Sequence, residues 1–279
     1  MGILYLVATP IGNLEDISAR GLRVLGQVGL IAAEDTRHTG KLLKHFNIAT
    51  PMTSYHEHNK LVKLDHVINA LKQGDVALVS DAGTPALNDP GYELVRAVLA
   101  AGYEVSPIPG PSAPIAALIA SGLPTDKFLY LGYLPRKTNE RRQILMEIHQ
   151  FTFTLIFLES PHRLLDSLVD LQEVLGNRQM CAARELTKLY EEFFRGRIDR
   201  AYQFFQSQPP RGEITLVIAG ASPNLERWTE TELMNAIQDS VSKGNSASAI
   251  AAQFASQSGW PRREIYKLAV KEKREHGPG

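Results

Sequence analysis

Val76-Ala77-Leu78-Val79-Ser80-Asp81-Ala82-Gly83-Thr84-Pro85-Ala86-Leu87-Asn88-Asp89-Pro90-Gly91 is the stretch on which the fold turns. Its apolar start has strand length, and the residues after it are small, polar and turn-forming, so Val76 to Ser80 reads as a strand that delivers a loop. Gly83 lets a backbone approach a ligand closely, while Asp81 and Thr84 offer an acceptor and a hydroxyl. A rigid connecting turn is the competing reading of the same residues.

Outward from this stretch the pattern repeats. Ile3 to Ala8, Val28 to Ala33 and Tyr103 to Ile108 read as further strands. Asn59 to Gln73, with Leu61, Leu64, Val67, Ile68 and Leu71 at helical spacing, and Tyr92 to Ala101 read as helices. Strands alternating with helices predict βαβ units and a mostly parallel sheet, whose ligand loops lie at the carboxyl ends of the strands. Two more loops stand there: Thr9-Pro10-Ile11-Gly12-Asn13-Leu14-Glu15-Asp16 after the first strand, and Pro109-Gly110-Pro111-Ser112-Ala113, which opens a helix and exposes its first backbone N–H groups. No G-x-G-x-x-G turn and no G-x-x-x-x-G-K-[ST] loop occurs, so neither a dinucleotide site nor a P-loop is supported.

A second block begins near a helix from Ser112 to Ser121. Its strands are predicted at Phe128 to Tyr133, Thr152 to Glu159, Gln179 to Arg184 and Ile214 to Ala219, with helices at Asn139 to Gln150 and Pro161 to Leu175. From about Ser222 no strand pattern remains, and three helices are predicted: Thr229 to Ser242, Ala247 to Gln257 and Arg262 to Arg274, the last after a Gly259-Trp260-Pro261 turn. The expected division is an α/β domain over 1–115, a second over 116–221, and a small helical module over 222–279.

Composition removes several function classes. The 279 residues carry 30 Lys plus Arg against 30 Asp plus Glu, which excludes an indiscriminate polyanion binder. A single cysteine, Cys181, forms no internal disulfide and no cysteine-based metal site; its apolar strand reads as inert core in a reducing compartment. No apolar run reaches the roughly 18 to 20 residues a membrane-spanning helix needs, so no membrane partner and a cytoplasmic location are expected. His56-Glu57-His58 offers two imidazoles and no third ligand, and no metal is expected.

Taken together, Val7 to Ile17, Ala33-Glu34-Asp35-Thr36-Arg37, the Ser80 to Gly91 run, Pro109 to Ser112 and Ala183-Arg184-Glu185-Leu186-Thr187-Lys188 resemble the tetrapyrrole-methylase superfamily. Within it they resemble the family that methylates small-subunit ribosomal RNA. The motifs fall in order over the first 190 or so residues; only Ala86-Leu87-Asn88 departs, where a more β-branched pair is usual. The resemblance implies two α/β domains of the tetrapyrrole-methylase type with the cofactor cleft between them, plus the helical C-terminal module. It implies S-adenosyl-L-methionine as methyl donor, the 2′-hydroxyl of a cytidine in the decoding region of 16S rRNA within the small ribosomal subunit as acceptor, and a homodimer. It places cofactor contacts on Ile11, Asp81, Thr84, Ser112 and Ala113, with Phe157 to Glu159 near them. The residues agree with such a donor, which carries no phosphate but has ribose hydroxyls, an adenine edge and a charged methionine end.

A 2′-hydroxyl is weakly acidic, so its methylation calls for a base or a neighbouring cation. Candidates are Arg184, Glu185 and Lys188 after a second-block strand, the Glu159-Ser160-Pro161-His162-Arg163 turn, and Glu34 to Arg37. Arg184 and Lys188 could neutralise an alkoxide or clamp a phosphate; a plain surface ion pair between Arg184 and Glu185 is the alternative. The neutral total hides local differences: nine Lys/Arg against eleven Asp/Glu over 1–115, thirteen against twelve over 116–221, and eight against seven over 222–279. Arg136, Lys137, Arg141 and Arg142, then Arg195, Arg197 and Arg200, form basic clusters. Arg263, Lys267, Lys271 and Arg274 form a basic stripe on the last helix, and the end of the chain resembles a helix-turn-helix that would contact RNA phosphates. Competing readings are a related methyltransferase acting on a tetrapyrrole or a modified protein residue, which would need a deeper apolar cleft, and a non-enzymatic RNA-binding regulator.

Overall fold

The structure is a computed structural model that describes residues 2–56, 60–222, 228–255 and 258–276. Glu57, His58, Asn59 and Gln257, named above, lie outside the described residues. Contacts divide the chain into two compact units, Met1–Ala221 and Ser222–Gly279.

The first unit holds two five-stranded sheets. In the first, β1 (Ile3–Val7), β2 (Leu30–Ala33), β3 (Met52–Ser54), β4 (Val76–Val79) and β5 (Glu104–Ile108) are all parallel, in the order β3-β2-β4-β1-β5. Alternate strand residues sort to two faces, as the period-2 pleat requires. Ile31, Ala33, Ala77 and Val79 bury against α1 (Ala19–Gln27) and α2 (Thr36–His45). Leu4, Ala32, Val76 and Leu78 bury against α3 (Lys60–Leu71) and α4 (Tyr92–Ala100). Val28, expected to start a strand, instead donates its N–H to Val24 and ends α1.

Parallel pairing gathers the carboxyl ends at one edge: Val7 sits opposite Ile108, and Ala33 opposite Val79. Two reciprocal bonds then tie the loops together, Thr9 N–H to Gly83 O at 2.9 Å and Gly83 N–H to Thr9 O at 3.0 Å. Gly83 holds φ at +81°, a conformation that most side chains resist.

The second sheet runs β6-β7-β10-β8-β9, from β6 (Phe128–Tyr133), β7 (Thr154–Glu159), β8 (Gln179–Arg184), β9 (Glu192–Arg197) and β10 (Ile214–Ile218). Only β6 and β7 are parallel; the other pairings are antiparallel. One face is covered by α6 (Thr138–Ile148), α7 (Leu164–Leu175) and α8 (Ile198–Ser207), with Leu145, Phe157, Leu168 and Phe205 fully or almost fully buried. The other receives α5 (Ala113–Ser121), which starts in the loop after β5 and lays Ala117 and Leu118 on Ile156, Cys181, Ala183 and Val217. Burial of a leucine at such a contact contributes about 1.5–3 kcal/mol. One helix therefore begins in the ligand loops of the first sheet and fastens them to the second. Burial also raises the Cys181 thiol, consistent with an inert core residue.

The second unit is a bundle of α9 (Glu230–Ser242), α10 (Ala247–Ala255) and α11 (Arg262–His276) around Leu233, Ile237, Ile250, Phe254 and Ile265. Thr229 and Glu232 form a reciprocal capping box at the start of α9. Trp260 Nε1 donates to Trp228 O at 2.7 Å and pins the turn before α11. Arg263, Lys267, Lys271 and Arg274 lie exposed on α11, whose Ile265 and Ala269 are buried. Among the described residues, no helix is long and apolar enough to cross a membrane.

Candidate active site

The carboxyl-end loops of the first sheet face the second sheet across a cleft of about 240 Å³. Its first wall holds Ile11, Glu34, residues 81–84, Leu87, Asn88 and Asp89; the start of α5 adds Ser112 and Ala113; Tyr130, Tyr133, Leu158, Glu213 and Thr215 close the second wall. Ile11, Asp81, Thr84, Ser112 and Ala113, far apart in sequence, are thus brought to one place. Phe157 is not: its side chain is fully buried among the α6–α8 contacts on the far face of the second sheet, and its neighbour Leu158 reaches the cleft instead.

Asp81 is held rigidly. Its Oδ1 accepts the Asp35 N–H at 3.0 Å, and its own N–H donates to Glu34 Oε2 at 3.1 Å. Thr84 Oγ1 donates to Pro111 O at 3.1 Å, binding the second loop to the third. Asp89 completes a group of three carboxylates. Burial first, then the charges of Glu34 and Asp81, push its carboxyl up to about 6, against the pull of a hydrogen bond with Ser80. Burial, Tyr133 and Asp89 together push the Tyr130 hydroxyl up to about 12, and burial with Glu213 and Asp89 raises Tyr133. Both phenols therefore stay protonated donors near neutral pH.

The Arg184–Lys188 run packs beside this cleft without lining it. Arg184 Nε donates to Glu192 at 2.9 Å. Lys188 Nζ bridges Glu185 at 2.9 Å and the cleft residue Glu213 at 3.0 Å, and the Glu213 N–H donates to Glu185 Oε1 at 3.0 Å. Burial opposes the charges of Glu185 and Lys188, but these bonds outweigh it, holding Glu185 below its ordinary pKa and Lys188 above. The run also presses on the first loop: a Cβ on Gly12 would sit 2.4 Å from Lys188 Cγ. Glu159 lies apart, with its side chain wholly buried. It accepts from Ser160 N–H at 2.7 Å, Ser167 Oγ at 2.5 Å and Arg163 at 3.3 Å, so its oxygens are taken up in starting α7.

Asp89, Tyr130, Tyr133 and Glu213 were not singled out from sequence. Asp89 stands in the quoted loop and was legible as a third carboxylate beside Asp81. The tyrosines were hidden because a strand pattern does not say which face meets a ligand.

The residues fit a donor such as S-adenosylmethionine. The Ser112 Oγ is buried with no hydrogen-bond partner, as a group awaiting a ligand would be. Three carboxylates on one wall suit a ligand bearing positive charge. Among the described residues no group of three or more His, Cys, Asp or Glu is arranged to hold a metal ion.

Comparison with known proteins places this architecture. Residues 3–202 match the family of Tetrapyrrole (Corrin/Porphyrin) Methylases. Solved structures share the fold: uroporphyrin-III-C-methyltransferase from Thermus thermophilus, at 20% identity and TM-score 0.54 over 79% of this chain and 93% of that one, and diphthine synthase, at 14% and 0.58 over 78% and 90%. Ribosomal RNA small subunit methyltransferase I of Synechocystis sp. is 50% identical over 97% of this chain and 98% of its own length, and that of Halalkalibacterium halodurans is 47% identical over 97% and 96%. The enzyme of that name from Thermotoga maritima is 47% identical over 79% of this chain and 99% of its own, leaving no room in it for a counterpart of the remaining fifth. The chain therefore belongs to the tetrapyrrole methylases and, within them, to the family of ribosomal RNA small subunit methyltransferase I.

Proposed function

We propose that the chain transfers a methyl group from S-adenosylmethionine to the ribose 2′-oxygen of a cytidine in the decoding region of 16S rRNA. The observation that carries this reading is the single cleft assembled from Ile11, Asp81, Thr84, Ser112 and Ala113 in a chain of this family. When bound, S-adenosylmethionine supplies an electrophilic methyl group on a positively charged sulfur. Asp81 accepts from ribose hydroxyls, Ser112 and the first N–H groups of α5 hold polar edges, and Ile11 packs against the flat base. Much of the acceleration comes from aligning oxygen, methyl and sulfur in line.

The proton of the 2′-hydroxyl goes to Asp89, whose carboxyl burial pushes up to about 6. Tyr130 and Tyr133 donate to substrate oxygens. Glu185 and Lys188 act as positioning residues through Glu213 and the Gly12 loop, Arg184 fixes the strand end before them, and Glu159 acts through Arg163 and the start of α7. In this reading 1–115 and 116–221 are two domains that close on the cleft, 222–279 is an RNA-contacting arm, and the cytoplasmic enzyme works as a homodimer.

The test is incubation with labelled S-adenosylmethionine and small ribosomal subunits from cells lacking the enzyme, followed by mapping of the label. Methyl on a cytidine 2′-oxygen of the decoding region is expected. Label on a base, on protein or nowhere contradicts the proposal.

A further inference from the structure

Beside the cleft lies a second pocket, of about 180 Å³, lined by Thr9, Pro10, Leu14, His38, Thr39, Lys41, Leu42, Ser80 and Asp81. Asp81 belongs to both, so one aspartate forms a shared wall. Pro10, Leu14 and Leu42 give the pocket an apolar side, and His38 and Lys41 of α2 give it a nitrogen-bearing side.

The helix itself is unusual. Thr39, Leu42 and Leu43 are buried, while Arg37, His38, Lys41, Lys44 and His45 lie exposed at spacings of one, three, three and one, a single outward face. Residues 36–45 contain no Asp or Glu. Arg37 pairs with the N-cap Asp35 at 2.7 Å, but Lys41 and Lys44 have no carboxylate within ion-pair distance among the described residues. Elsewhere in the first unit several cations are spent internally: Arg141 and Arg142 pair with Asp170, Arg184 with Glu192, and Lys188 with two glutamates. The Asp35 N–H bond to Asp81 at 3.0 Å fastens the start of α2 to the cleft.

We propose that α2 and the pocket at its foot bind the single-stranded RNA next to the methylated nucleotide. A neighbouring base rests on Pro10, Leu14 and Leu42, and Lys41 and Lys44 pair with the flanking phosphodiesters. A strand that presents its ribose to Asp89 in the cleft passes over Asp81 to reach this pocket, where an unneutralised cationic face meets a chain of negative charges. The inference deepens the methyl-transfer reading by naming the surface that seats the substrate strand.

The test compares full-length Lys41→Ala/Lys44→Ala with Lys72→Ala/Arg96→Ala, which removes two exposed charges from the opposite face of the first sheet. Each is titrated with small ribosomal subunits from cells lacking the enzyme, by filter binding over a range of salt, and with S-adenosylmethionine by calorimetry. The α2 variant is expected to bind subunits about tenfold or more weakly, with a salt slope smaller by about one unit for each lost phosphate contact. Its affinity for S-adenosylmethionine should stay within about twofold. Unchanged subunit binding and slope overturn the proposal, as does a parallel loss of S-adenosylmethionine binding or an equal effect of the control pair. Filter binding needs no turnover, so wild type that binds subunits but transfers no methyl overturns the underlying reading instead.

Discussion

Two basic stretches flank the cleft, and they have opposite fates. In Arg184–Lys188 the positive charges are matched inside the fold, against Glu192, Glu185 and Glu213. On α2, Lys41 and Lys44 face outward without a described carboxylate. In the sequence the first run carries its own Glu185, while residues 36–45 carry no acidic residue. The difference teaches that a cation next to a site is a stability element where the backbone brings carboxylates to it, and a candidate contact for substrate where it does not.

Predictions follow from breaking this contrast. The largest effect is expected at Gly212, which holds φ at +80° and whose added Cβ would lie 2.0 Å from Glu185 Oε1. Gly212→Ala should cost about 2 kcal/mol in denaturant unfolding, because it strains the backbone and evicts the carboxylate from Lys188. Lys188→Ala should cost about 1 kcal/mol, because Glu185 keeps only the Glu213 N–H, while the exposed Glu213 adds little. That loss has a sign with pH. Glu185 is depressed in the fold, so its share of the stability is present above its unfolded pKa of about 4.5 and vanishes as pH falls below it. Lys188 is raised, so its share persists until pH rises through its folded pKa, above 10.5. The wild-type advantage over Lys188→Ala should therefore be flat from about pH 5 to 10 and shrink in acid.

On the cleft side the sign reverses. Asp89 is raised in the fold, so its ionisation opposes folding once pH passes from 3.8 through about 6. Asp89→Asn should stabilise the protein at pH 7 by about 1 kcal/mol, discounted for partial exposure, and have little effect near pH 4. The same variant should lose methyl transfer, and wild-type kcat should fall as pH drops below about 6. Stabilisation with retained activity would remove Asp89 as the proton acceptor. The smallest effect belongs to Lys41→Ala/Lys44→Ala, whose unfolding free energy should stay within about 0.5 kcal/mol of wild type.

The same contrast explains what sequence could and could not supply. β4, β7 and β10 were legible because buried strands are apolar runs broken by Gly, Pro or a polar loop. β3 is three residues long, and β9, carrying Glu192, Arg195 and Arg197, lies at a sheet edge where solvent replaces an apolar partner, so neither announced itself. α2 was hidden for a related reason: apart from Leu42 and Leu43 its residues are polar or small, and only packing against Val24, Ile31 and Val79 makes it a core helix. The cleft residues Ile11, Asp81, Thr84, Ser112 and Ala113 were picked out by the family resemblance, and they meet because loops at the carboxyl ends of parallel strands converge. The two tyrosines and Glu213 come from a sheet whose mixed pairing places them opposite those loops, information that exists only once the sheets are assembled. Glu159 and Phe157 carried residue types that suit chemistry, yet one is enclosed by three donors and the other by leucines.

The central claim is that the cleft around Asp81 is the methyl-donor site. Its most direct measurement is calorimetric titration of wild type and Asp81→Ala with S-adenosylmethionine, each checked for folding by its thermal transition. A charge-assisted hydrogen bond of about 1.5–3 kcal/mol predicts an affinity loss of at least tenfold. A folded Asp81→Ala variant that binds S-adenosylmethionine as tightly as wild type would contradict it.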